Sequence, residues 1–513
     1  MLGAEDRPEW DDHAVESQFR LRTRFPVAVE AEAEQVDVPV STGRKGRLDL
    51  RGELSFTIDP GDARDHDDAL SVKALGPGRW EVGIHIADVS HYVTPGSALD
   101  VEAQERGTSV YLPGGAVPML PERLSSHLCS LVPDRDRLVL SVIAELDAQG
   151  RVHGVRFVEA VIRSRAKLSY EQAQAALDGR ARLEPAVQEA LEILIGLSRV
   201  LRARRRTQGA LDLEVPEIKA RVDAQGLVIA LERREHLESH ELIEEFMLLA
   251  NRCVGAEGAR RGSGLLYRVH DPPSPRKLAE LDLMLKALGL PRPGDLRDPA
   301  RALQAVLKTP LDPPRRRLVH RLVLRSLTRA RYLGRDTGHF GLAAREYCHF
   351  TSPIRRYPDL HNHRRVREWI HDRPTAAWDP VPLERLGERC SATEQNATEA
   401  EREAVRVKSL RVLEARLGEQ ASGIITGFVP QGFFVELDDD PVEGFVRVSN
   451  DLDDHFQLDP TGVRMIGRRT RRRFSLGDTV RVMVARVDVP ARECDLALWS
   501  PERRRHRRGR GRG

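Results

Sequence analysis

The sequence predicts an α+β protein, a large mixed α/β domain followed by a small β-barrel, and three observations predict it. From about Leu54 to Ser164, apolar residues alternate with polar ones or run together between Gly and Asp turns. "RWEVGIHIADVSHYV" and "RLVLSVIAELDAQGRVHGVRFVEAVIRS" show this strand patterning. Further on, the period becomes helical in "SYEQAQAALDG", "HELIEEFMLLANRCVGAEG" and "PPRRRLVHRLVLRSLTRARYLG", and a Glu-, Arg- and Ala-rich helix is expected from Pro382 to Leu417. After Gly418 short apolar runs return, cut by Gly and acidic turns. A chain of 513 residues is too long for one core.

Taken in order, residues 1–50 read as a polar arm with one short helix around "DDHAVESQFRLRTRF". Residues 51–418 contain no long low-complexity linker and read as one domain. Residues 419–500 hold five short strands, which suits a closed barrel of the OB type. Phe433 and Phe434, with Phe445 nearby, offer base-stacking faces in such a barrel. Adjacent strand positions face opposite ways, so at least one of the first two points into the core. Residues 501–513 form an Arg/Gly tail, "RRRHRRGRGRG" being its basic part, and "RMIGRRTRRR" is a second arginine cluster. Such clusters attract phosphate non-specifically.

Bulk composition excludes several classes. Apolar residues make up 40% and charged residues 31%, which argues against disorder over most of the length. Lys and Arg number 81 against 78 Asp and Glu, so the net charge of +3 conceals local clusters. Five cysteines without a C-x-x-C pair predict reduced thiols, a cytoplasmic location and no thiolate zinc site. No apolar run approaches 18 residues and the N-terminus is acidic, so neither a membrane span nor a signal peptide is expected.

The most informative stretch is "FTIDPGDARDHDDAL", which places Asp59, Asp62, Asp65, Asp67 and Asp68 within ten positions. Carboxylates this close raise one another's pKa values unless a cation or solvent relieves them. An acidic turn at Pro60-Gly61 is the plain alternative. A calcium loop of the EF-hand type fails, because from Asp59 its third position is Gly61 and its twelfth Leu70. Irregularly spaced hard oxygen ligands suit Mg²⁺, and a pair of such ions makes a phosphoryl-transfer site. His85, Asp88 and His91 also have metal-like spacing, but on one strand they cannot share a face and are read as structural. The column Arg317, Arg321, Arg325 and Arg329 makes one helical ridge, either a phosphate contact or a solvated face.

"FTIDPGDARDHDDAL", "VGIHIADVSHYV", "SVYLPGGAVPMLPERLSSHLCSL", "ELIEEFMLLANRCV", "YRVHDPPSPRKL" and "HFTSPIRRYPDLHNHR" occur in the order found in the RNase II and RNase R (RNB) exoribonucleases, which this chain resembles from about Asp49 to the end of the barrel. The resemblance implies an RNB catalytic domain at 51–418 and an OB-fold RNA-binding domain at 419–500. It implies a Mg²⁺-dependent, processive 3′-to-5′ hydrolase of single-stranded RNA that releases nucleoside 5′-monophosphates, working as a monomer with two ions. By carry-over, Asp59, Asp65, Asp67 and Asp68 hold metal, and Asp67 is the carboxylate the chemistry cannot lose. Asp62 is an extra turn residue. Arg355 in "TSPIRRY" approaches the scissile phosphate, and Arg356 contacts RNA backbone. Tyr111 in "SVYLP" stacks near the 3′-terminal nucleotide, and Glu401 in "EAERE" lies near it. Family members usually carry two cold-shock barrels ahead of the catalytic domain, whereas about fifty residues precede it here. A wider mouth, admitting duplexes with a 3′ overhang, is therefore expected. The rival readings are a non-catalytic RNA-binding protein of the same fold and a metal-dependent DNA nuclease.

Overall fold

The computed structural model describes residues 7–36, 46–213, 218–233, 235–373, 380–438, 442–448 and 454–499. The strand-patterned stretch supplies β1 (Leu48–Asp49), β2 (Ser55–Asp59), β3 (Asp68–Gly76), β4 (Arg79–Ala87), the hairpin β5 (Val110–Leu112) and β6 (Gly115–Val117), then β7 (Asp136–Asp147), β8 (Val152–Arg163) and β9 (Ala166–Ser169). Seven of them form one sheet in the order β1-β8-β7-β4-β3-β2-β9. The β1–β8 and β2–β9 pairs are parallel and the rest antiparallel.

Both faces of this sheet are covered, which is why its middle strands read as apolar runs. Ile84, Ile86, Leu140 and Val142 share a core with Leu191 and Leu194 of helix Pro185–Thr207 and Phe246 of helix Glu238–Arg261. Ala87, Val139 and Val161 join the opposite core with Leu99, Leu120 and Leu360. Ser169 caps helix Tyr170–Leu177 through a capping box with Gln172.

The barrel closes with five strands, Gln420–Val429, Gly432–Leu437, Glu443–Arg447, Glu493–Leu498 and Thr479–Asp488 in that spatial order. Sequence periodicity missed a three-stranded insert, Phe456–Leu458, Arg464–Gly467 and Arg473–Ser475, which absorbs much of the "RMIGRRTRRR" cluster. One core runs from Leu318 and Leu322 through Val407 and Leu410 into Ile425 and Phe433, so barrel and catalytic domain are packed together. The tail 501–513 lies outside the described residues.

Three local expectations change. Residues 7–36 carry two helices, Asp11–Gln18 and Val27–Gln35, and are not a free arm. Asp11 is fully buried, with Oδ1 3.1 Å from Arg411 Nη2 and Oδ2 3.6 Å from the buried Lys408 ammonium. The helix at "PPRRRLVHRLVLRS" ends at Ser326, and Arg331–Leu333 pairs instead with Tyr267–Val269 as strands. The arginine ridge is divided: Arg321 pairs with Glu436 of the barrel, while exposed Arg325 reaches Thr426 O at 3.5 Å and exposed Arg329, beyond the helix end, lies 3.6 Å from Glu399. The long helix runs Pro380–Glu414, close to the expected span.

His85, Asp88 and His91 are structural, as expected, but only His85 is in a strand. It sits between the Ser71 and Ser141 hydroxyls at 2.9 and 2.8 Å, while Asp88 caps the short helix Val89–Tyr92 and accepts from Arg47 Nη2 at 2.6 Å.

Candidate active site

The acid loop leaves β2 at Asp59, turns at Pro60-Gly61 with Ala63 N–H donating to Pro60 O at 3.0 Å, and enters β3 at Asp68. Asp68 pairs with Ile86 in the sheet, so β4 holds one end of the loop and β9 the other. A residue that sequence reasoning passed over fixes its middle. His66 is 1% exposed, its N–H donates to Ser130 Oγ at 3.0 Å, and its Nδ1 lies 2.7 Å from Asp59 Oδ2. Its position inside the acidic run was the available signal.

Opposite the loop stands the segment before helix Tyr357–Ile370. Phe350 N–H donates to Asn251 Oδ1 at 2.8 Å, Asn362 Nδ2 donates to His349 O at 2.8 Å, and His363 Nε2 lies 2.7 Å from Phe350 O. Asp359, fully buried in the first turn of that helix, accepts from Ser352 N–H at 2.8 Å. The anchored segment delivers Ile354 N–H to Asp67 Oδ1 at 2.9 Å and Arg355 Nε to within 3.3 Å of Asp67 Oδ2. Arg355 Nη2 also donates to Ser352 Oγ at 2.9 Å, and 43% of its side chain remains exposed.

The same segment aligns the Tyr111 hairpin. Ser109 N–H donates to Arg355 O at 3.0 Å, and Tyr357 N–H to Gly107 O at 2.9 Å. Gly107 ends helix Ala98–Arg106 with φ +69°, and a Cβ there would strike the Thr393 hydroxyl, so only glycine fits. Tyr111 is 45% exposed and so is not a core tyrosine, and its hydroxyl donates to Asp65 Oδ2 at 3.2 Å. Its backbone N–H donates to Glu401 Oε1 at 2.8 Å. At the hairpin turn, Gly114 N–H donates to Asp12 Oδ2 at 2.7 Å. Asp12, in the N-terminal segment, thus braces the hairpin from outside, a link that no local pattern signals.

Electrostatically the site is unfinished. Asp67 is 4% exposed and its Oδ2 is buried with no hydrogen-bond partner. Burial pushes its carboxyl up to about 8, against the pull of Arg355 and the Ile354 amide. Burial, with Asp59 and Asp67 as like-charged neighbours, holds Asp68 well above the ordinary carboxylate range. Hard oxygen donors, mutual repulsion and a buried carboxylate oxygen that accepts no hydrogen bond fit a divalent cation in donor chemistry and charge. As they stand, His66 engages Asp59 and Tyr111 engages Asp65. Among the described residues no group of three His, Cys, Asp or Glu side chains is arranged to hold an ion.

Two RNA-contact expectations need correction. Arg356 donates from Nη2 to buried Asp359 at 2.7 Å, with 18% of its side chain exposed, and Asp359 holds it in the charged state. Its guanidinium is committed to an internal ion pair. Phe433 is fully buried, 4.9 Å from the Phe474 ring, and is core. Phe434 takes the other face of the same strand, half-buried and 5.1 Å from Phe445. Asp62 is exposed, 3.4 Å from Lys219 Nζ.

Comparison with known proteins agrees with this architecture. A model of the RNB domain matches residues 47–372, and a model of the S1 RNA binding domain matches 414–498. Ribonuclease R of Aquifex aeolicus is 39% identical over 94% of this chain and 69% of its own. Mycoplasma genitalium RNase R in complex with ribose methylated single-stranded RNA superimposes with a TM-score of 0.90 at 29% identity, covering 97% of this chain and 79% of that one. The same enzyme in complex with double-stranded RNA gives 0.85 at 28% identity, covering 97% and 84%.

Proposed function

We propose, starting from the fact that this chain belongs to the RNB family of exoribonucleases, that it is a Mg²⁺-dependent, processive hydrolase that shortens single-stranded RNA from its 3′ end to nucleoside 5′-monophosphates. The observation that carries the reading is the meeting of Asp67 with Ile354 N–H and Arg355 across the cleft. A protein kept only for RNA binding has no need to bury a carboxylate oxygen that meets no hydrogen-bond donor, only the half-exposed Arg355 guanidinium at 3.3 Å.

Asp59, Asp65, Asp67 and Asp68 would hold the metal, two ions in this reading. Bound there, a divalent cation offsets phosphate charge and lowers the pKa of a water nucleophile. Ile354 N–H orients the Asp67 carboxylate, leaving Oδ2 for the site. Arg355, anchored on Ser352 yet exposed, donates to the nonbridging oxygens as charge builds in the transition state. Tyr111 offers its ring to the terminal nucleotide, and Glu401 fixes its backbone. Phe434 extends the RNA path onto the barrel. Five free cysteines accord with a reducing cytoplasm, and the reading is of a monomer. The double-stranded RNA complex of a relative supports the further reading that overhang-bearing duplexes are entered.

Incubating 5′-labelled RNA and DNA oligonucleotides with Mg²⁺ or chelator, and sizing the products over time, tests this. A 3′-shortened RNA ladder that chelator abolishes is expected, with DNA intact and with overhang-bearing duplexes shortened past the junction. Undegraded RNA would leave the non-catalytic reading standing, and degraded DNA would favour the DNA nuclease.

A further inference from the structure

A cavity of about 1430 Å³ opens between β8, the C-terminal end of helix Pro185–Thr207, helix Glu238–Arg261 from Glu245 onward, and the segment around Arg345. It is separate from the acid loop. Asp68 stands level with Ile86, Leu140 and Glu159 across the sheet. The cavity begins at Val158, beside that level but three strands away on β8, about 14 Å at ~4.8 Å per strand, and runs from there to Arg151 and Val152 at the β7–β8 turn.

The walls are cationic beyond what their acids balance. Arg205 is satisfied by Glu245 at 2.6 Å, and Arg260 and Arg261 share Glu257 at 2.6 and 2.5 Å. Arg204 has a backbone partner, Gly150 O at 2.8 Å, which leaves its charge uncompensated. Arg252 reaches only the neutral Gln208 Oε1 at 3.4 Å, and exposed Arg345 makes no ion pair among the described residues. Burial first, then the guanidiniums of Arg204 and Arg205, hold Arg252 below its ordinary range, and Glu245, already paired with Arg205, offsets this only in part.

We propose that this cleft is a second RNA-binding site, in which Arg204, Arg252 and Arg345 take the phosphate backbone of the same RNA whose 3′ end is being removed. The choice of ligand rests on the exoribonuclease reading. A polymer is favoured over a single nucleotide because the volume exceeds the roughly 300–1,000 Å³ usual for small-molecule pockets. The aromatic lining is confined to Phe157 and Trp369, and Trp369 is 4% exposed, so the cleft reads charge rather than bases. Its role is to retain long RNA between cuts.

The test uses the full chain carrying Asp67→Asn, so that binding is read without hydrolysis. Adding Arg252→Gln and Arg345→Gln should weaken binding of a 40-nucleotide RNA about tenfold at 0.1 M salt and flatten the slope of log affinity against log salt by about 1.4. Lysine at both positions should restore affinity, and Arg345→Gln alone, an exposed change that does not threaten folding, should give part of the loss. In the active chain the same variants should leave trinucleotide hydrolysis unchanged. Unchanged affinity and salt slope overturn the cleft while leaving the exoribonuclease reading intact. A parent that binds no RNA overturns both. Lost affinity for uridine 5′-monophosphate with none lost for the RNA overturns the polymer assignment.

Discussion

Arg355 Nε lies 3.3 Å from Asp67 Oδ2, while Ile354 N–H holds the other oxygen of the same carboxylate at 2.9 Å. Asp67→Asn keeps an oxygen for the Ile354 amide and removes the charge. Hydrolysis should be abolished while RNA affinity stays nearly intact, because binding draws on many phosphate and stacking contacts. Single-turnover rates alongside filter binding decide it, and residual activity above about a tenth of wild type counts against the role assigned to Asp67. Arg355→Ala should cost about 10²–10³ in rate, as loss of a transition-state donor does.

Tyr111→Ala should leave cleavage working and lengthen the smallest residual oligonucleotide, since a stacking face worth ~1–3 kcal/mol is lost to short substrates. Tyr111→Phe keeps the face and removes the bond to Asp65, so its end product should match wild type. Identical end products from all three proteins would deny Tyr111 this role.

Asp12→Ala should mimic Tyr111→Ala in part, because it frees the Gly114 N–H and loosens the hairpin turn. The expected readout is a longer end product with the rate on long RNA preserved. An unchanged product ladder would mean that Glu401 and the Arg355 segment hold the hairpin without Asp12.

Phe433 and Phe434 should separate cleanly. Phe433→Ala empties a core site and should cost about 3–5 kcal/mol of stability, read by thermal or urea unfolding. Phe434→Ala should leave stability nearly unchanged and weaken single-stranded RNA binding by about 1–3 kcal/mol. Equal RNA affinity in Phe434→Ala would remove that ring from the RNA path.

Burial holds His85, His361 and His363 down to about 4 in the folded protein. The unfolded chain protonates them near pH 6.5, so it binds more protons between the two values. The stability they contribute is complete above pH 6.5 and is lost as pH falls toward 4. Three such groups give a slope of about 4 kcal/mol per pH unit near pH 5. Thermal melts across that window should show it, and a flat melting temperature from pH 6.5 to 4.5 would contradict it.

What the sequence determined by itself was whatever depends on near neighbours. The strand and helix periods are local, so β4, β7, β8 and the helices Glu238–Arg261 and Pro380–Glu414 were legible. The crowding of Asp59, Asp65, Asp67 and Asp68 follows from their positions in a short loop, as does the rule that Phe433 and Phe434 face opposite sides. Tertiary structure alone decided which ring went inside, because that depends on where the barrel's core lies. It also turned Arg356 onto Asp359, tied Glu401 to Tyr111, and folded the N-terminal segment against Lys408 and the Gly114 turn. Each is a pairing between residues whose local patterns are satisfied equally well by solvent. Only the packing around them selects the partner, between distant segments for Glu401 and Asp12 and by burying both groups of the i, i+3 pair for Arg356, since a buried charge or amide must find one where water is excluded.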